Sequence, residues 1–183
     1  GAFGGQAIAE ALFGDYNPGG RLAVTFPKSV GQIPFAFPFK PGSDESYETS
    51  VYGALYPFGH GLSYTALKYR DLAISPSKQG VQGNISISCT IKNIGQREGD
   101  EVVQLYLRDE VSSVTTYTQV LRGFERITLK PEASHTVHFE LTPQELGIWD
   151  KQMNFTVETG MFKVMIGSSS KDIRLKGEFE IAQ

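Results

Sequence analysis

Three carboxylates, Asp44, Glu45 and Glu48, fall within five residues of one another in the segment GSDESYETS, and two further acidic pairs, Asp100-Glu101 and Asp109-Glu110, stand at either end of one apolar run. Carboxyl groups brought close together do general acid–base work, because their surroundings can hold one protonated while the other stays ionised. The placement of these groups points elsewhere. The first cluster lies in an aperiodic stretch between Pro41 and Val51 and reads as a solvated loop. The two pairs at the strand ends read as solvated turns.

The remaining reactive side chains are equally sparse. His135 and His138 are three apart in a strand-like pattern, so they project to opposite faces and make no metal site. His60 sits among glycines, where hydrogen bonding to backbone is its expected role. Cys89 shares an inward strand face with Ile85, Ile87 and Ile91, which makes it a buried, inert thiol; as the single cysteine it forms no intrachain disulfide. Asn84-Ile85-Ser86 and Asn154-Phe155-Thr156 are glycosylation acceptors that matter only in a eukaryotic secretory host. Tyr106 and Tyr117, if exposed, would offer a platform on which a sugar ring stacks; packing between sheet and loop is the simpler expectation. The sequence contains no P-loop, dinucleotide fingerprint, zinc-ligand spacing or nucleophile elbow. A formal net charge of −3 leaves no basic footprint for nucleic acid or an anionic membrane, and no apolar run approaches the roughly 18 residues of a membrane helix.

The elements that must position these groups divide unevenly. Residues 1–65 hold 11 of the 20 glycines and 6 of the 9 prolines. They predict turns around little regular structure. GGQAIAEALFG predicts a short helix, with Ala7, Ile8, Ala11 and Leu12 at helical spacing and Gly14 where a left-handed C-cap belongs. DYNPGG is a turn, RLAVTF a strand that Pro27 ends, and QIPFAFPFKPG extended or polyproline-like. One helix and one strand do not bury their own apolar faces, so this part reads as the last helix–strand unit of a larger α/β layer. The opening GAFGG, with no methionine, reads as the start of a processed or cloned piece.

From Ala66 the period changes to two. LKYRDLAIS, NISISCTIKN, GDEVVQLYLRD, QVLRGFERITL, SHTVHFEL, MNFTVET, GMFKVMIGSSS and IRLKGEFEI alternate and are separated by turn residues. Seven or eight such strands predict a β-sandwich, without the Cys…Trp…Cys spacing of a true immunoglobulin domain. TPQEL predicts one helical turn capped by Thr142, with Glu145 three residues on. Trp149 is expected to plug one end of the core. Between the two parts lies ALYPFGHGLSYT, in which Tyr56, Phe58, Leu62 and Tyr64 supply apolar surface to wedge between two cores, while Gly59 and Gly61 let the backbone turn tightly. We read it as a structural weld and not as a substrate-contacting loop.

GGQAIAEALFGDYNPGGRLAVTFPKS followed by LYPFGHGLSYT resembles the C-terminal region of glycoside hydrolase family 3, the β-glucosidases and β-xylosidases. VLRGFERITLKPEASHTVHFELTPQELGIWD and FKVMIGSSS are similar to that family's appended fibronectin type III-like domain. The resemblance implies a mainly β chain: a fibronectin type III-like sandwich over residues 66–183, preceded over 1–65 by the tail of an α/β sandwich domain and the junction. It implies a retaining hydrolysis of β-glucosides or β-xylosides without metal or organic cofactor, whose two carboxyl groups, about 5–5.5 Å apart, flank the sugar. The family's aspartate nucleophile, on a (β/α)8 barrel, and its acid/base glutamate find no match here, so no catalytic, cofactor-binding or metal-binding residue is assigned. Many relatives carry a Gly-Tyr-Arg-Tyr-type segment where this chain has GSDESYETSVYGA, so no substrate contact is carried over. The implied partners are upstream barrel and α/β domains, a β-linked oligosaccharide and a second copy in a homodimer, with no nucleic acid or membrane. A periplasmic or secreted location follows from the implied activity. Two rival readings are a carbohydrate-binding module, marked by a row of coplanar exposed aromatics, and an oligomerisation module, marked by exposure of the strand face bearing Val102 and Val120.

Overall fold

The computed structural model of the chain describes residues 1–43 and 49–183; Asp44, Glu45 and Glu48 lie outside the described residues. The apolar spacing of the first segment does form helix α1 (Gly4–Phe13), and Gly14 closes it in the left-handed region at φ 85°, its N–H donating to Glu10 O. RLAVTF does not form the expected strand. Only β1 (Phe26–Pro27) pairs, antiparallel with β2 (Ala54–Tyr56), and Pro27 lies inside that ribbon. Upstream of it, Leu22 is held through its backbone alone, donating to His60 O and accepting from Gly59 N. A β-branched run becomes a strand only where a neighbouring strand takes its ladder bonds, and the described residues supply only the junction backbone.

The period-two region builds the sandwich. In chain order it contains β3 (Leu67–Ser75), β4 (Lys78–Gly80), β5 (Ile85–Asn93), β6 (Gly99–Asp109), β7 (Val120–Leu129), β8 (Ser134–Leu141), the helical turn α2 (Pro143–Leu146), the short β9 (Ile148–Trp149) and β10 (Phe155–Thr156), β11 (Gly160–Gly167) and β12 (Ile173–Ala182). One sheet runs β4-β12-β11-β6-β7, the other β3-β5-β8, while β9 and β10 form a separate ribbon. Thr142 caps α2 as its sequence predicts, with Glu145 returning the bond to the cap backbone.

Alternation places the core. Ile85, Ile87, Cys89 and Ile91 from one sheet meet Val103, Leu105, Leu107, Val164 and Ile166 from the other, with Phe162 stacked on Phe179 at 5.4 Å. Burial pushes the Cys89 thiol up to about 11, which keeps it protonated and unreactive at neutral pH.

β6 departs from simple alternation. Its outward residues Gln104 and Tyr106 are as buried as its inward ones, because the N-terminal segment lies across that face. Tyr106 is therefore no exposed platform: its ring meets Phe37 edge-on at 5.8 Å. Trp149 is corrected in the opposite sense. It is 59% exposed, because β9 runs outside the sandwich end and does not enter it. Truncating Leu105, which is fully buried, to Ala should cost about 2–5 kcal/mol in urea unfolding. The same change at the half-exposed Ile94 should stay within about 0.5 kcal/mol.

Candidate functional site: the seam between segment and sandwich

The polar groups with the most unusual surroundings gather where residues 14–64 lie on β6. Glu101 has the same parity as the core residues Val103 and Leu105, and it is buried. The DYNPGG turn aims Arg21 at it, and the guanidinium donates to Glu101 Oε1 at 2.5 Å with both side chains almost wholly covered. Glu101 also accepts from the Val102 N–H. Desolvation holds its pKa above the ordinary carboxylate value, although Arg21 pulls it down. The expectation of a solvated turn is thus wrong for Glu101. It is also incomplete for Asp100, which accepts from Arg126 and Thr128 and has its pKa lowered chiefly by the Thr128 and then the Arg126 hydrogen bond.

Three other side chains complete the seam, and none was singled out from sequence. Asn17 donates to Glu98 O and accepts from the Tyr64 N–H, joining the turn to both the junction and the sandwich. Asn93, fully buried, uses its whole amide: Nδ2 donates to Arg97 O and Leu129 O, and Oδ1 accepts from Thr65 Oγ1 and the Gly95 N–H. Gln104 Nε2 donates to Gly59 O and to Ser168 O, while its Oε1 accepts from Tyr106 Oη at 2.5 Å. A glutamine inside the apolar run VVQLYL was the available signal. A polar residue at such a position is retained only if its hydrogen bonds are met.

The motif ALYPFGHGLSYT supplies the other half of these contacts. Phe58 stacks on Phe37 at 4.6 Å, and its carbonyl accepts from the Ser170 N–H. Gly59 sits at φ 81°, and a Cβ there would fall 2.1 Å from Gln104 Oε1, so both backbone and space demand glycine. A Cβ on Gly61 would meet Gly20 O at 2.4 Å. Tyr64 Oη donates to Ala11 O near the end of α1, and Arg97 lies over the Tyr64 ring while donating to Gly14 O. His60 stacks on Tyr56 at 5.1 Å. Leu62 departs from the expected wedge: it is 70% exposed.

The other candidates stay apart. His135 and His138 are both exposed, and no group of three or more metal-ligating side chains occurs among the described residues. Glu110 is not free in a turn but pairs with Lys163 at 2.7 Å and Arg108 at 3.1 Å. Asp109 is partly buried beside it, and burial raises its pKa. Val102 and Val120 are both half-buried, so the strand face that would mark an oligomerisation surface is not open. No helix of the described residues is long and apolar enough to cross a membrane.

The bonds Arg21–Glu101, Asn17–Glu98, Gln104–Gly59 and Arg97–Gly14 join one part of the chain to the other, and comparison with known proteins places the two sides. Residues 1–64 match the glycosyl hydrolase family 3 C-terminal domain, and residues 101–170 match a fibronectin type III-like domain. A periplasmic beta-glucosidase of Salmonella typhimurium is 41% identical over 99% of this chain, and a beta-xylosidase of Formosa agariphila 43% identical over 94%. The chain belongs to glycosyl hydrolase family 3. It spans about a quarter of the length of these two relatives, 25% and 24% respectively. Among solved structures, a β-glucosidase from Erythrobacter marinus superposes with a TM-score of 0.89 at 38% identity, covering 98% of this chain and 24% of that one. The β-glucosidase from Listeria innocua in complex with glucose gives 0.88 at 30% identity, covering 98% and 26%. Both parts of the family 3 chain therefore keep one relative arrangement across these structures.

Replacing Arg21 by Met leaves the Glu101 carboxylate buried without its cation. The expected loss is about 3–5 kcal/mol at neutral pH. Without Arg21, the folded-state pKa of Glu101 rises further above its unfolded value. The stability tied to its protonated form is then fully present below the unfolded pKa and lost as pH rises through the folded one. The deficit of the variant should therefore shrink as pH falls, which urea unfolding at neutral and acidic pH will show.

Proposed function

We propose that the chain is the C-terminal, non-catalytic part of a longer retaining β-glycosidase acting on β-glucosides or β-xylosides. Residues 1–65 are the tail of its α/β sandwich domain, and residues 66–183 are the fibronectin type III-like domain that braces the catalytic parts. One observation carries this reading. Among the described residues, most of the exposed large apolar side chains lie before residue 65, including Ile8, Leu12 and Phe13 of α1 and Val24, Phe26 and Val30 after it. α1 buries none of its residues, yet its C-terminal end is fixed by Arg97 and Tyr64. An amphipathic helix held in place with its apolar stripe bare fits a partner layer contributed by upstream sequence. The β-glucosidase and β-xylosidase relatives supply the substrate class, and the periplasmic relative supports a periplasmic or secreted location. In this reading the acid/base pair belongs to those upstream parts and works without metal or organic cofactor.

The purified chain should hydrolyse neither aryl β-glucosides nor aryl β-xylosides; turnover by the chain alone would overturn the non-catalytic role. In the longer enzyme, Arg21→Met should lower Tm and yield while leaving KM unchanged. A raised KM at unchanged Tm would place the seam at the substrate instead.

A further inference from the structure

At one end of the sandwich the loop following β6, the start of β7, and α2 with β9 enclose a cleft of about 270 Å³. It is smaller than the roughly 300–1,000 Å³ of drug-sized sites, which suits one six-membered ring and not an extended chain. Three aromatic side chains line it: Phe162 is buried at its floor, whereas Trp149 and Tyr117 are substantially exposed. Trp149 is braced from beside: its cross-strand partner Phe155 meets it edge-on at 5.5 Å, and the Phe155 ring fills the space over Gly147, where a Cβ would fall 2.3 Å from Phe155 Cζ. The indole is thereby presented to the cleft at little conformational cost.

The polar lining is equally specific. The register of β6 against β7 slips between Leu105 and Tyr106, which pair with Gly123 and Leu121 respectively, leaving Arg122 as the extra residue of a bulge. A bulge re-aims the side chain it carries. Arg122 lines the cleft, and its Nε is buried with no hydrogen-bond partner. Asp109 lines the same space, one of its oxygens accepting from the Val111 N–H. Lys40 closes the rim over the Tyr117 ring, 5.9 Å from its centroid. Burial also raises the pKa of Asp109 and lowers that of Arg122, which Glu145, lining the same cleft, pulls back up.

The geometry points to a binding site for a single pyranose ring with equatorial hydroxyls, the gluco- or xylo-configured unit of a β-linked oligosaccharide, stacked on Trp149 and hydrogen-bonded through vicinal hydroxyls to Asp109 and Arg122. A ring whose hydroxyls are all equatorial exposes a flat face of C–H groups, which the negative face of an indole attracts. Its edge presents adjacent donors and acceptors that match a carboxylate and a guanidinium. A galacto-configured ring turns its 4-hydroxyl axial and loses part of that apolar face. Trp149, Asp109 and Arg122 all belong to this chain, so the site stands whether or not the catalytic reading of the longer protein does.

Trp149 is the single tryptophan of the chain, so its fluorescence reports this cleft alone. Titration of the 183-residue chain with cellobiose and xylobiose should give a saturable emission change, weaker with a β-galactoside. Asp109→Ala should weaken it at least tenfold. Backbone amide shifts should map to residues around 109–122 and 145–149, and should vanish in Trp149→Ala, a variant expected to fold because the indole is mostly exposed. An unchanged emission at tens of millimolar sugar, a titration indifferent to Asp109→Ala, or shifts confined to another face would each overturn the site. None of these outcomes bears on whether the chain hydrolyses a glycoside, which the aryl-glycoside assay decides separately.

Discussion

A carboxylate placed between two β-sheets demands a cation, and Glu101 is such a carboxylate. It occupies the position of a core residue at the end of β6, where leaving it ionised and unpaired would cost several kcal/mol. Arg21 answers that demand from a turn 80 residues earlier in the chain. Once its guanidinium is seated, the DYNPGG turn has one position on the sandwich, and α1, the β1–β2 ribbon and the junction are carried with it. The pair gains little from its charges, since desolvation outweighs the pull of Arg21 on the Glu101 pKa. Its larger effect is on register, because only one docking of the segment satisfies it.

Gln104 extends the same logic along β6. An amide on the outer face of a central strand is tolerable in water or fully bonded, and here it is fully bonded, to Gly59 O, Ser168 O and Tyr106 Oη. Those bonds need the junction backbone within hydrogen-bond reach, and only a residue without Cβ permits that approach at position 59. Phe37, itself stacked on Phe58, then covers Tyr106 with apolar surface. Polar satisfaction and apolar burial thus fix the same placement, so the segment behaves as a part of the sandwich surface and not as a tethered arm. A rigid mount suits the bracing role proposed above, since a bare apolar helix stripe at a fixed angle would meet a partner layer without further ordering.

The cleft at Trp149 sits under a different constraint. Its aromatic and charged groups are held by the β6–β7 bulge and the β9–β10 ribbon, and from the N-terminal segment by Lys40 over the Tyr117 ring and Phe39 O, which accepts from Thr118 N–H and Oγ1. Seam and cleft therefore divide the sandwich into a face that is spoken for and an end that is open. The two are not independent, because β6 and β7 carry residues of both.

Much of this protein is legible from its residues. Period-two alternation in ISISCTIKN and its fellows sets the strands and the core, the Gly14 and Thr142 signals set two helix ends, and the motifs around YPFGHGLSYT carry the family. These are local properties: side-chain direction, capping and turn chemistry act within a few residues. What failed, failed where the deciding neighbour is distant. RLAVTF has strand-forming residues but no strand beside it among the described residues, Tyr106 has an outward parity but a segment lying over it, Trp149 has a core residue's bulk but a ribbon that runs outside, and Glu101 looks like a turn residue until Arg21 arrives. Burial and polar pairing are sums over the whole fold, so sequence fixes which groups require partners, and only tertiary structure decides which partners they receive.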